Sequence, residues 1–226
     1  MKHVLFFWSC IAVFCSSAQD VEPSLGTTQS DSTYSQARLI WESSTFKEVL
    51  ALEVFEMAMI GYQKRADFKR GKIAIVDYSK PSTEKRFYVV DLKTKSLEFH
   101  TLVAHGKNSG ANRAVRFSNK NQSHQSSLGF FRTAETYYGK HGFSLRLDGL
   151  EKGINDNARK RAVVMHGASY VSRSFISQQG RLGRSWGCPA LPLAVSKKVI
   201  NAIAKGTCLF IYANNEAYKK NSQFLK

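Results

Sequence analysis

The chain has 226 residues, of which 43% are apolar and 22% are charged. This composition is typical of a globular protein, and the length is sufficient to bury a core without disulfide staples. The formal net charge of +16 favours anionic partners. The basic residues are dispersed along the chain and no nucleic-acid motif occurs, which argues against a nucleic-acid binder.

Residues 1–18 predict a cleaved export signal. A short positive start precedes an apolar run, and the small residues Ser16, Ser17 and Ala18 suit a signal peptidase. The apolar run is too short to span a bilayer of roughly 30 Å. A lipoprotein signal is disfavoured, because Phe14 before Cys15 is too bulky for that cleavage. We therefore expect a protein of the periplasm or cell envelope, without stable membrane insertion after cleavage and with an anionic wall polymer as its partner.

The polar residues 19–44 predict a linker or leader, and residues 19–36 within it lack any apolar periodicity. From Thr45 the apolar residues recur at helical spacing, so we expect one helix over about 45–64. Residues 45–226 are predicted to form a single folded domain.

The apolar period changes to two after this helix. Strands are predicted within 72–78, 85–92, 96–105, 127–139, 143–150, 161–167 and 207–213, and a second helix within 193–206. The polar stretch 106–126 predicts a binding loop or a disordered segment. The sum is a β-rich domain with two helices.

The mature chain keeps two cysteines, Cys188 and Cys208. In an exported protein they can form one disulfide. The alternative is that Cys208, which lies in the apolar run "GTCLFIYA", is a small buried hydrophobe of a terminal strand.

His166 ends an apolar strand and precedes Gly167, and Cys188 follows 22 positions later across a polar spacer. An imidazole or aimed backbone N–H groups near a thiol favour the thiolate, which is the nucleophile in acyl transfer. A glycine before the cysteine permits a tight turn whose amides can stabilise an oxyanion. On these residues alone, His166 can also be a buried core histidine whose hydrogen bonds are satisfied within the protein.

The motif "MHG", followed after the spacer by "RSWGCPAL", resembles the signature of the L,D-transpeptidase catalytic-domain family: His-Gly, a spacer, then Ser/Thr-x-Gly-Cys. The segments "VAHGKNSG", "SSLGFF" and "GKHGFSLRLDGLEKGINDNA" are similar to murein L,D-transpeptidase catalytic-domain proteins. The likeness covers about residues 46–212. It implies a mainly β catalytic domain, a sandwich or barrel of the L,D-transpeptidase type, preceded by a helix.

The resemblance also implies an enzyme of peptidoglycan stem peptides that works through a cysteine acyl-enzyme, releases D-alanine and needs no metal or cofactor. By position, Cys188 matches the nucleophile, His166 the general base and Gly167 the residue whose carbonyl orients that histidine. The tight turn matches Ser185, Trp186 and Gly187, with the backbone amides of 186–188 as oxyanion donors.

Two positions depart from the family pattern. Trp186 stands where many members have histidine, and Ala190 stands where many have asparagine or arginine. The second departure leaves a polar substrate contact unassigned, for which Arg184 is the candidate. His105 and Ser127, at the two ends of the polar stretch, are further candidates for substrate binding.

Three alternatives stay open. If the protein hydrolyses the bond whose cleavage releases D-alanine, it is an L,D-carboxypeptidase. If the domain is degenerate, it binds the cell wall without catalysis. His141 and Asp148 have the His-x₆-Asp spacing of zinc D,D-peptidases, but the glycine expected three positions after the histidine is Ser144. No HExxH or CxxC motif supports a zinc site.

Overall fold

The computed structural model describes Met1, residues 29–69 and residues 71–226. Apart from Met1, the predicted export signal lies outside the described residues, as do residues 19–28 of the predicted leader. The strands are β1 (Lys72–Asp77), β2 (Phe87–Asp91), β3 (Ser96–Thr101), β4 (Gly129–Gly139), β5 (Gly142–Gly149), β6 (Val164–Ala168), β7 (Ala190–Pro192) and β8 (Cys208–Tyr212). The helices are α1 (Gln29–Glu42), α2 (Leu52–Gln63), α3 (Arg173–Gln179), α4 (Leu193–Ile203) and α5 (Glu216–Asn221).

All eight strands belong to one sheet with the order β3-β2-β1-β8-β4-β5-β6-β7. The central strands β1 and β8 pair in parallel and are almost entirely buried, which explains why their sequences are continuous apolar runs. Just after β3, Ala104 bridges Ala190 of β7 through two backbone hydrogen bonds of 2.8 and 3.3 Å. The sheet therefore bends back on itself, and the predicted mainly β class is confirmed.

Helix α1 occupies a segment in which polar composition predicted an unstructured leader. It packs on α2: Thr33 donates to Gln63 Oε1 at 2.6 Å, and the Gln63 side-chain amide donates to Gln36 Oε1 at 2.6 Å. Ala37 is completely buried. The prediction is wrong for residues 29–42, because Ala37, Ile40 and Trp41 lie at helical spacing and pack against the core of the domain.

The predicted helix over 45–64 starts later than expected. Residues 45–49 form turns, and α2 begins at Leu52 after the extended residue Ala51. The Trp41 indole N–H donates to the Leu50 carbonyl at 2.7 Å, which joins the end of α1 to this turn.

Helix α3 lies within the spacer that was predicted as loop. The Ser172 hydroxyl accepts from the Phe175 N–H at 3.1 Å and caps its first turn, and Gly180, with φ of +68°, ends it. The described chain thus has five helices where the sequence predicted two. Within the residues that the structure describes, no helix is both long enough and apolar enough to cross a membrane.

Candidate active site

Strand pairing brings Cys188 beside His166. In the parallel pair of β6 and β7, His166 is in register with Ala190. Cys188 therefore lies level with Val164, and the Val164 N–H donates to the Cys188 sulfur at 3.4 Å. His166 is on β6 and Cys188 lies two residues before the adjacent strand β7, although the chain between them includes a helix.

The His166 ring has a defined tautomer. Its Nδ1 lies 2.9 Å from the Gly167 carbonyl oxygen, which can only accept, so Nδ1 carries the proton and Nε2 has a free lone pair.

Close packing requires a glycine at position 167. A Cβ at this position would lie 2.5 Å from Ser196 Oγ and 3.0 Å from Leu193 Cδ2, both on α4.

The nucleophile and its base are both neutral at rest. Burial raises the pKa of the half-buried Cys188 thiol, an effect that the Val164 N–H and the Arg161 charge partly offset. Burial also lowers the pKa of His166, the Gly167 carbonyl opposes this, and His141 lowers it further. A protonated thiol and an unprotonated imidazole therefore line the same cavity, which are the protonation states that general-base activation of the thiol requires.

The turn before Cys188 is held by Ser185. Its hydroxyl accepts from the Gly187 N–H at 3.1 Å and donates to the Cys188 carbonyl at 2.6 Å. Gly187 has φ of +125°, and a Cβ there would lie 2.8 Å from the Gln125 carbonyl oxygen, so only glycine fits. Among the described residues, no acceptor engages the N–H groups of Trp186 and Cys188, whereas that of Gly187 is occupied.

The polar stretch 106–126 is a packed loop that supports this turn. Ser126 is 1% exposed, and its hydroxyl donates to the Gly187 carbonyl at 3.1 Å while accepting from the Gly106 N–H at 3.0 Å. The Ser109 hydroxyl accepts from the Ser126 N–H at 2.9 Å. Ser109 and Ser126 are therefore used in internal hydrogen bonds that hold the turn before Cys188 in place.

Cys188 and His166 open into one cavity of about 240 Å³. Its lining comprises Lys140, His141, His166, Tyr170, Arg184, Ser185, Trp186 and Cys188. The His141 ring stacks on His166, with centroids 4.3 Å apart and planes 20° apart. His141 reaches the cavity from the turn between β4 and β5.

Residues 47–212 match the family described as the L,D-transpeptidase catalytic domain. The chain belongs to this family. A solved L,D-transpeptidase from Mycobacterium smegmatis is 13% identical, with a TM-score of 0.39 over 63% of this chain and 59% of the other. An L,D-transpeptidase from Stackebrandtia nassauensis is 15% identical, with a TM-score of 0.39 over 79% and 78% of the two chains. The chain thus spans about three-fifths of the M. smegmatis structure. No curated relative matches it.

Within this L,D-transpeptidase domain, the predicted residues fall into two groups. Cys188, His166, Ser185, Trp186 and Arg184 line the cavity, and Gly167 and Gly187 adjoin it. Arg184 uses Nη1 to donate to the Gly110 carbonyl at 3.0 Å and to the Lys107 carbonyl at 3.3 Å. Those bonds fix the side chain at the rim.

His105 and Ser127 do not line the cavity. His105 is 1% exposed, and its Nδ1 accepts from Arg86 Nη2 at 2.7 Å. Burial and the Arg86 charge lower the pKa of His105 to about 3, so the ring stays neutral. The Ser127 hydroxyl donates to the Ser118 carbonyl at 2.8 Å and accepts from Arg161 at 2.6 Å. Both side chains are used in internal hydrogen bonds.

Sequence patterns missed three cavity residues: Lys140, His141 and Tyr170. His141 was considered only as a zinc ligand with Asp148. The Asp148 carboxylate instead binds Arg159, with Nη2 and Oδ2 3.1 Å apart. The part of the chain that the structure describes contains no group of three His, Cys, Asp or Glu side chains that could hold a metal ion.

Cys208 lies in β8, in register with Ile73 of β1, and is completely buried. Cys188 carries a free thiol, so the predicted disulfide between Cys188 and Cys208 is not formed.

Proposed function

We propose that this protein is an exported L,D-transpeptidase of the cell envelope that acts on peptidoglycan stem peptides through an acyl-enzyme on Cys188. The observation that supports the proposal is the cavity that Cys188 and a neutral His166 line together, with His166 Nδ1 bonded to the Gly167 carbonyl and Nε2 left to accept a proton. Membership of the family supports the reaction class. The net charge of +16 suits an anionic wall.

In the first half-reaction, His166 Nε2 takes the thiol proton as the Cys188 sulfur attacks the carbonyl of the diaminopimelate-type residue of a tetrapeptide stem. The N–H groups of Trp186 and Cys188 are the available donors for the resulting oxyanion. The Gly187 N–H is held by Ser185 and is not one of them. The C–N bond then breaks, and D-alanine leaves with the proton from His166, which gives a thioester.

In the second half-reaction, an amine of an acceptor attacks the thioester. His166 takes a proton from that amine and returns it to the departing sulfur, so an amide forms and the thiol is restored. Water in place of the amine gives the L,D-carboxypeptidase product. Arg184 is positioned to bind a stem carboxylate, because Nη1 is fixed by two carbonyls and Nε and Nη2 remain for a bidentate contact.

The test is to incubate the purified protein with tetrapeptide muropeptides and to identify the products by mass spectrometry. We expect release of D-alanine, cross-linked dimers, and an acyl adduct on Cys188. Cys188→Ser should lower turnover at least about a thousandfold, because an alkoxide is much harder to form than a thiolate.

Cys208→Ser is the matched control, since its thiol is buried in β8. It should keep the chemistry and lose only packing energy. Formation of tripeptide stems without cross-linked dimers would show that the enzyme is an L,D-carboxypeptidase instead. If no condition releases D-alanine, or if a folded Cys208→Ser is as inactive as Cys188→Ser, the proposal is wrong.

A further inference from the structure

Trp186 stands on the surface beside the nucleophile. Its side chain is 70% exposed, although it precedes a buried glycine in a rigid turn. The indole stacks on His124 with centroids 4.9 Å apart, and the Lys107 ammonium lies 5.4 Å from the ring centroid. A large apolar ring that is held in place but left in solvent indicates a contact surface for a ligand.

The Trp186 indole also lines a second cavity, of about 440 Å³. Its lining comprises Asn121, Gln122, His124, Arg161 and Trp186. Trp186 is therefore a wall common to this cavity and to the catalytic one. A ligand in the second cavity lies beside the substrate that Cys188 attacks.

The lining of the second cavity suits a neutral polar ring. It contains no carboxylate. Its one guanidinium is used internally: Arg161 donates to the Ser118 carbonyl at 2.6 Å and to the Gln125 carbonyl at 2.7 Å. What remains for a ligand is the exposed part of the Trp186 indole, the His124 ring that stacks on it, and the side-chain amides of Asn121 and Gln122, which both donate and accept hydrogen bonds.

We infer that the second cavity binds an N-acetylated sugar ring of the glycan strand whose stem reacts at Cys188. The apolar C–H face of such a ring packs on the indole, while its hydroxyl and acetamido groups bond to the amides. The inference rests on the proposed function for the identity of the stem.

The probe for this site is a tetramer of β-1,4-linked N-acetylglucosamine, which has no stem and cannot react. In a Trp41→Phe protein, Trp186 becomes the one indole of the mature chain, and we expect its emission to change saturably with the tetramer. Calorimetry on the otherwise unchanged protein gives the Kd. Trp186→Ala should raise that Kd about tenfold or more, and Asn121→Ala, a change of an exposed side chain, about threefold or more.

Lys140→Ala is the matched control, because Lys140 lines the catalytic cavity but not the second one. It should leave the Kd for the tetramer unchanged. The inference is overturned if the unsubstituted protein does not bind the tetramer, or if folded Trp186→Ala and Asn121→Ala bind it as well as the parent does. D-alanine release, measured on the same preparation, reports separately on the proposed function, since tetramer binding needs no chemistry at Cys188.

Discussion

At the residue scale, burial shifts the pKa values of His166 and Cys188 in opposite directions. The pKa of His166 lies below its usual 6.5, and the pKa of Cys188 lies above its usual 9.0. The base must be unprotonated to accept the thiol proton, so activity is lost as the pH falls through the pKa of His166. We predict that the acid limb of kcat/KM for D-alanine release has its midpoint below pH 6.5. A midpoint at or above 6.5 would contradict this electrostatic account.

The stacked ring of His141 gives a second prediction at this scale. It covers His166 and lowers its pKa. His141→Ala removes both the electrostatic effect of His141 on His166 and part of the burial, and each change raises the pKa of His166. The acid limb should therefore move to higher pH, toward 6.5, in a kcat/KM profile.

Lys140→Ala supplies the control for that shift. Lys140 lines the same cavity but is not among the groups that shift the pKa of His166. Its acid limb should stay in place. Equal shifts in the two variants would assign the effect to the net charge of the cavity and not to the stacked ring.

Residues that belong to the family motif could be predicted from the sequence, and cavity residues outside that motif could not. Cys188 and His166 stand in two short motifs, 22 positions apart, that together resemble the family signature. His141 lies 25 positions before His166 and reaches it only through the pairing of β5 with β6. His105 was misleading for a different reason: a polar residue at the end of a polar stretch resembles a ligand contact whether its partner is a substrate or, as here, Arg86.

At the element scale, the contact between β6 and α4 limits what position 167 accepts. A methyl group on Gly167 would lie 2.5 Å from Ser196 Oγ and 3.0 Å from Leu193. We predict that Gly167→Ala lowers the free energy of unfolding by about 1–3 kcal/mol, because α4 must move away from the strand. Urea denaturation measures the loss.

A double variant tests whether that steric contact is the cause. Ser196→Ala removes the nearer atom, so Gly167→Ala in its presence should cost clearly less than it does alone. Additive losses would mean that Ser196 Oγ is not the obstacle, and that the glycine is required for another reason.

The strands were easier to predict than the helices, for a physical reason. Strands β1 and β8 are buried on both faces and are visible as apolar runs. Helix α3 has no buried residue, and its ends depend on a serine cap and a left-handed glycine within polar sequence. Helix α1 depends on its contacts with α2. Periodicity cannot reveal elements whose stability comes from caps or from a neighbour.

At the scale of the whole molecule, closure of the sheet assembles the site. The bridge between Ala104 and Ala190 directs the chain that leaves β3 along β7. Gly106 then bridges Ser185, and the loop that follows supports the nucleophile turn. The sequence indicated that 106–126 is a long loop, but which turn it contacts depends on a pairing between residues more than 80 positions apart.

The charge of the whole chain gives the last prediction. The 33 basic residues exceed the 17 acidic ones, so 16 positive charges remain unbalanced, and cleavage of the predicted export signal would remove only that of Lys2. Such charges attract an anionic wall through contacts that are screened over about 8 Å at physiological salt. We predict that binding to isolated sacculi weakens at least about tenfold between roughly 50 and 200 mM salt.

Turnover of a small soluble muropeptide is the control for this salt dependence. It depends on local contacts at Cys188 and His166, so its kcat/KM should change much less over the same range. DNA would also bind in a salt-dependent manner, but only a peptidoglycan substrate would be consumed. If affinity for sacculi is indifferent to salt, the basic surplus does not serve substrate binding and acts on solubility alone.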